Sequence, residues 1–326
     1  MGVPMQVFTS ARAALEVTRG TAITPTRLIY GESFALDHTV ATIRAEEHRA
    51  SYEPVYSGAP GPERSLVTMT GRATFEDLIW HANMFYKALA AASSGVPPNA
   101  LWTFTPTNAS DDVKTHSLQL GDANAIGTSP GISLAYGTGQ TLNLHYEKNA
   151  DGALTFSASY LYAKALTQIT SFTGALSDRV TTPISCNNTV VKIDTTTIGT
   201  TADSAVTAVD FTLDLSPVPF YALDGTLAAQ ATYRPDFRRW KAEITRQYNA
   251  ATEFTAYVAK TVRKVRVLTT NSTNIVQQDM YGVYTGRKYA DVDGIVTEVL
   301  TLEPVFDTAT STSTSLSITN NIATIT

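Results

Sequence analysis

The most constraining feature of this chain is that it repeats itself. Phe34-Ala-Leu-Asp37 opens one half and Phe211-Thr-Leu-Asp214 opens the other. An amphipathic segment follows each at nearly the same distance, beginning near Thr74 in the first half and near Asn249 in the second. Each half then closes on an Asp-Gly pair, Asp151-Gly152 and Asp293-Gly294. The period exceeds that of solenoid repeats, so it implies two copies of one small domain. Such a chain has a built-in route to rings, which weights the reading toward assembly and away from catalysis.

Composition narrows the classes. The 326 residues, 43% of them hydrophobic, can fill the cores of two ordinary domains. Charged residues make up only 16%, against about 25% in typical soluble domains, while Thr and Ser abound and β-branched residues recur in short runs. That combination predicts a mainly β chain with polar, uncharged surface of the kind that neighbours cover. The net charge of −5, from 24 basic and 29 acidic residues, argues against a tight grip on nucleic acid, which needs clustered Lys and Arg. The single cysteine, Cys186, makes neither an internal disulfide nor a Cys-based metal site. The N-terminus lacks a basic stretch followed by a long apolar run, and no 18-residue apolar stretch occurs. Synthesis in the cytoplasm without membrane insertion is the expectation.

The element pattern divides the chain into an N-terminal arm (1–27), a first module (28–166), a Thr/Ser-rich connector belonging with the second module (167–207), a second module (208–307) and a C-terminal tail (308–326). Residues 46–65, rich in charge, Gly and Pro, predict a long exposed loop. Thr74 predicts an N-cap, with Glu76 and Asp77 in the first turn and Phe75, Leu78, Ile79, Ala82, Phe85 and Leu89 forming one apolar stripe. A weaker helix over 249–264, with Phe254, Tyr257, Val258 and Val262 on one side, is its counterpart. The clearest hairpin joins Thr141–Glu147 to Leu154–Tyr160, and 275–306 matches it in the second half.

Catalytic patterns fail on context. Gly127-Thr-Ser-Pro-Gly131 matches the nucleophile elbow as text, but a β-like segment follows where a helix is needed. Gly137-Thr-Gly139 reads as a hairpin turn, because Leu142 stands where a dinucleotide fingerprint has its third glycine. The five histidines show no ligand spacing, and the basic patches at 234–241 and 260–266 suit a neighbour's acidic loop as well as DNA. No enzyme, metal or cofactor is expected. A second class stays open, a carbohydrate-binding or adhesin module in which Trp102, Trp240 and Tyr160 are exposed stacking platforms.

The Glu16-Val-Thr-Arg-Gly-Thr-Ala22 opening, the Pro25-Thr-Arg-Leu-Ile-Tyr30 entry into a strand, Phe34-Ala-Leu-Asp37, Gly71-Arg-Ala-Thr-Phe-Glu-Asp-Leu-Ile79 and Trp102-Thr-Phe-Thr-Pro106 carry a resemblance. Together they look like the major tail tube proteins of long, non-contractile-tailed bacteriophages. The resemblance implies β-sandwich or barrel-like modules, each with one flanking helix, whose hairpins join those of neighbours in a continuous barrel around a channel for double-stranded DNA. It implies stacked rings in a virion tail, with a tape-measure protein, a tail terminator and tail-tip or baseplate proteins as partners. Six modules around the axis would make a two-module chain a trimer, with a hexamer as the alternative. A DNA channel wall should be polar and neutral to negative, which nominates Asn143, Thr155, Ser157, Ser159, Asp279, Thr297 and Glu298 as lumen-lining. Arg12, Arg19, Glu46, Glu47, Arg49, Arg238 and Arg239 are the candidates for contacts between rings or subunits.

Overall fold

The computed structural model describes residues 10–46, 55–89, 91–106, 113–121, 131–148, 152–170, 172, 181–233, 239–248, 251–292 and 294–325. Alternation of apolar and polar side chains governs most of these residues, and the backbone follows it into strands. The first half contains β1 (Ser10–Leu15), β2 (Arg27–Leu28), β3 (Ser33–Glu46), β4 (Val55–Arg72), α1 (Phe75–Phe85), β5 (Ala100–Phe104), β6 (His116–Gly121), β7 (Gly131–Glu147), β8 (Thr155–Tyr162) and β9 (Thr167–Ile169). The second contains β10 (Thr189–Asp194), β11 (Val206–Asp214), β12 (Val218–Phe220), β13 (Ala231–Tyr233), β14 (Arg239–Gln247), α2 (Thr252–Ala259), β15 (Arg263–Asn271), β16 (Asn274–Val292), β17 (Ile295–Pro304) and β18 (Thr314–Asn320). The protein is mainly β, and all strands but β12 and β13 belong to one sixteen-stranded antiparallel network.

The repeat is visible in the pairing. The first module orders four strands β3-β4-β8-β7, and the second orders four as β11-β14-β17-β16. In both, a helix follows the second of these strands in sequence. In both, the long strand is bulged, at Gly139/Thr141 in β7 and at Tyr284/Gly286 in β16. Before the bulge, β7 pairs with β6 and β9, while β16 pairs with β15 and β18. Even single hydrogen bonds recur: Ala73 N donates to Leu154 O at 2.7 Å, and Tyr248 N donates to Val296 O at 3.0 Å.

The matching bulges place Thr141 with Gly286, and the ladders then place Leu36 with Phe211, which face Val67 and Ala242 respectively. The Phe34 and Phe211 motifs are therefore two residues out of structural register. A shift of two keeps the same face of a strand, so the two motifs present the same alternation.

Several sequence expectations are corrected. Residues 10–15 are no arm: β1 pairs with β6, and the buried Glu16 carboxylate accepts from Gly20 N (2.9 Å), Thr115 Oγ1 (2.6 Å), Ser117 Oγ (3.0 Å) and Tyr136 N (2.8 Å). Residues 55–65 are strand, not loop. Their prolines fit because residues 55–64 of β4 have a strand partner only in β3, and Gly61 and Pro62 fall at a register shift. Gly137 and Gly139 lie inside β7, not in a turn. A Cβ at Gly137 would stand 2.5 Å from the His116 and Tyr162 rings, and one at Gly139 would stand 2.9 Å from Met84 O. The tail strand β18 is internal, between β16 and β5.

Thr74 does cap α1, its hydroxyl accepting from Asp77 N at 3.1 Å. The helix is buried on every side, not only along its stripe. The second module and the tail strand cover its outer face: Asn320 Nδ2 donates to Phe75 O at 2.9 Å, and Tyr86 Oη donates to Gln278 Oε1 at 2.7 Å. Helix α2 is shorter than expected, ending at Lys260 in the left-handed conformation. Phe254 and Val258, expected on its packed side, are exposed, and Glu253 and Ala256 are buried instead.

Candidate assembly edges and channel face

The two modules meet strand to strand. β7 beyond its bulge pairs with β11, from Thr141 opposite Asp214 to Glu147 opposite Ala208. The sheet therefore runs β3-β4-β8-β7-β11-β14-β17-β16, with a seam between β7 and β11 at its middle. Among the described residues no strand pairs with the outer side of β3, nor with β16 beyond its bulge on the side away from β17. These two open edges are the positions that β11 and β7 occupy at the internal seam.

Burial follows the same logic. Leu144, at the seam, is 0% exposed, whereas Tyr289, its counterpart at the open edge, is 56% exposed. Phe211 is fully buried, and its counterpart Leu36 is half-buried. Leu154 is covered by the segment through Pro183, its N donating to Ile184 O at 2.9 Å, while its counterpart Val296 is 52% exposed. Tyr248, Phe254, Val258 and Ile295 are exposed as well. The Arg287 guanidinium stacks over the rings of Tyr289 (4.3 Å), Phe254 (4.8 Å) and Tyr248 (5.6 Å). Sequence reading missed this apolar surface because each residue alternates as a core residue should; comparison with the buried copy separates them.

The channel candidates divide. Asn143, Thr155, Ser157 and Ser159 share the sheet face opposite the core, with Asn143 beside Ser157 and, across the seam, beside Thr212. Asn143 and Thr155 are exposed, Ser157 and Ser159 half-buried. Asp210 and Asp214 continue this face on β11, and Lys241 with its partner Glu243 on β14.

Of the other three, Asp279 and Glu298 are corrected. Asp279 is buried before the bulge, its carboxylate held by Arg266 at 2.7 and 2.8 Å. Thr297 shares the face as the counterpart of Thr155, but it is only 6% exposed and donates to Ala290 O. Glu298 points to the core, fully buried, with Arg287 Nη2 at 2.7 Å and Arg246 Nη1 at 3.6 Å. Thr297 and Glu298 are adjacent on one strand, so they face opposite ways.

The inter-ring candidates are scattered. Arg12 is half-buried in β1, its guanidinium 4.6 Å above the Phe172 ring. Arg19 is exposed after β1, Glu46 ends β3, and Arg239 is exposed at the start of β14. Glu47, Arg49 and Arg238 lie outside the described residues. The 260–266 basic patch is neutralised internally: Arg263 pairs with Glu253, Lys264 with Asp307 and Arg266 with Asp279, and Lys260 Nζ donates to Tyr284 O. The sugar-stacking platforms are overturned, since Trp102 and Tyr160 are 0% and Trp240 3% exposed. The two indoles donate to Ile322 O and Ser313 Oγ, and Tyr160 Oη hydrogen-bonds His81, so a sugar would have to unfold the core to reach them.

No helix among the described residues is long and apolar enough to cross a membrane. Neither models of protein families nor curated protein sequences match this chain.

Proposed function

We propose that this chain is a structural subunit of a bacteriophage tail tube, assembling into rings that stack around a channel for genome delivery. The observation that carries the reading is the pair of open edges. The chain joins its own modules through a β7-β11 seam and leaves the same two strand positions open at its ends, so one more copy adds an equivalent seam without new geometry. An open edge with apolar flanks invites association, and closure into a ring removes both of these edges at once. With six modules around the axis, as the resemblance implies, three chains close the ring.

The face carrying Asn143, Thr155, Ser157 and Ser159 then lines the channel. Hydroxyls, amides and carboxylates predominate there, and Lys241 is paired with Glu243, so the face holds a passing phosphate backbone only weakly. The tube would be part of the virion and contact a tape-measure protein, a terminator and tip proteins at its ends. Lysines at Asn143, Ser157 and Ser159 test the channel. Virions carrying them should assemble and eject DNA more slowly, more so at low salt, and unchanged ejection would remove this face from the channel wall.

A further inference from the structure

The two modules are close enough copies that the internal seam specifies its intermolecular counterpart. We propose that β16 of one copy pairs antiparallel with β3 of the next in one register, with Lys288 opposite Asp37, Tyr289 opposite Leu36 and Ala290 opposite Ala35. This inference rests on the ring reading and adds to it the residues in contact.

Leu302 precedes the β16-β17 bulge as Tyr160 precedes the β7-β8 bulge; Leu302 faces Ala242, Tyr160 faces Val67, and these face Phe211 and Leu36. Thr141 thereby corresponds to Gly286 and Phe211 to Leu36. The internal pairs Asn143-Thr212, Leu144-Phe211 and His145-Asp210 become Lys288-Asp37, Tyr289-Leu36 and Ala290-Ala35.

The chemistry of the residues supports the register independently. Asp37 and Lys288 are both exposed in the single chain, and the seam brings opposite charges face to face, a favourable cross-strand pair. Tyr289 and Leu36 meet as an aromatic-aliphatic pair on the core side, and two alanines meet where the internal seam carries a hydrogen-bonded pair. A slip by one residue would oppose Tyr289, held on the core side by its ladder with β17, to Ala35 or Asp37 on the other sheet face, a mismatch that the pleat does not allow.

Disulfide trapping tests the register. Ala35→Cys with Ala290→Cys places the thiols directly opposite one another, whereas Ala35→Cys with Lys288→Cys makes them diagonal neighbours roughly 7–8 Å apart, beyond the usual Cα range of about 4.4–6.8 Å for a disulfide. These substituted positions are exposed, and the native Cys186 is buried. Oxidation of assembled protein should trap the first pair as covalent closed oligomers, with crosslinking lost in the second. Rings seen by electron microscopy while only the diagonal pair, or neither pair, crosslinks would overturn the register and leave the ring reading standing. Absence of both rings and crosslinks would overturn the ring reading and this inference with it. As a second arm, Asp37→Lys should impair assembly and Lys288→Asp added to it should restore assembly; no recovery in the exchanged double variant also counts against the register.

Discussion

His145 in β7 and Asp210 in β11 face each other across the seam between the modules, imidazole Nδ1 2.5 Å from carboxylate Oδ1, and His145 Nε2 lies 3.3 Å from Glu147. Partial burial works against the imidazolium, but Asp210 and Glu147 outweigh it, so the pKa is raised above 6.5. A raised folded-state pKa stabilises the fold fully below the unfolded-state value and ceases to do so as pH climbs through the folded one. His145→Gln should therefore be less stable than the parent below pH 6.5, and the gap should close as pH rises beyond it. Thermal unfolding across pH checks this; a gap that widens with pH would refute it.

His81 and His116 carry the opposite sign. Both are fully buried beside Trp80 and Tyr160, and His116 Nε2 lies 2.5 Å from Tyr162 Oη. Burial above all holds each pKa down to about 3. The unfolded chain binds protons that the folded one refuses, so stability is lost as pH falls from 6.5 toward 3, at about 1.4 kcal/mol per pH unit per histidine. Chemical denaturation between pH 7.5 and 5 should show this loss beginning well above the carboxylate range.

Leu144 and Tyr289 occupy one position in two copies, yet their truncations should differ. Leu144→Ala removes a fully buried side chain and should cost about 2–5 kcal/mol of monomer stability. Tyr289→Ala should cost less than about 1 kcal/mol in the monomer while weakening assembly. Denaturation at low protein concentration, paired with sedimentation at high concentration, separates the two effects.

The repeat and the first helix were legible because they rest on local signals, Thr74 with its acidic first turn and the matched hairpins. The 55–65 strand was not, since Gly and Pro read as loop until β3 is placed beside them. Glu298 and Asp279 were misread as channel residues for a related reason. Charged residues suggest surface, and only the ladder shows that Arg287 and Arg246 sit beside Glu298 and that Arg266 covers Asp279. The assembly edges lay beyond sequence reading because an edge is defined by the absence of a neighbour.

Gly282 corresponds to Gly137, and both are held by close approach. A Cβ at Gly282 would stand 2.2 Å from Glu303 O, where backbone must shift. Gly137→Ala and Gly282→Ala should each cost at least about 1–3 kcal/mol. Gly58→Ala, whose Cβ would meet nothing closer than 3.5 Å, should be tolerated. Equilibrium denaturation of the three variants is the check.

Negative-stain electron microscopy of the purified protein across a concentration series, with and without a tape-measure template, bears most directly on the ring account. Rings of three chains with sixfold-like modulation, stacking into tubes, are the predicted result. A monomer that persists at every concentration and with the template would contradict it.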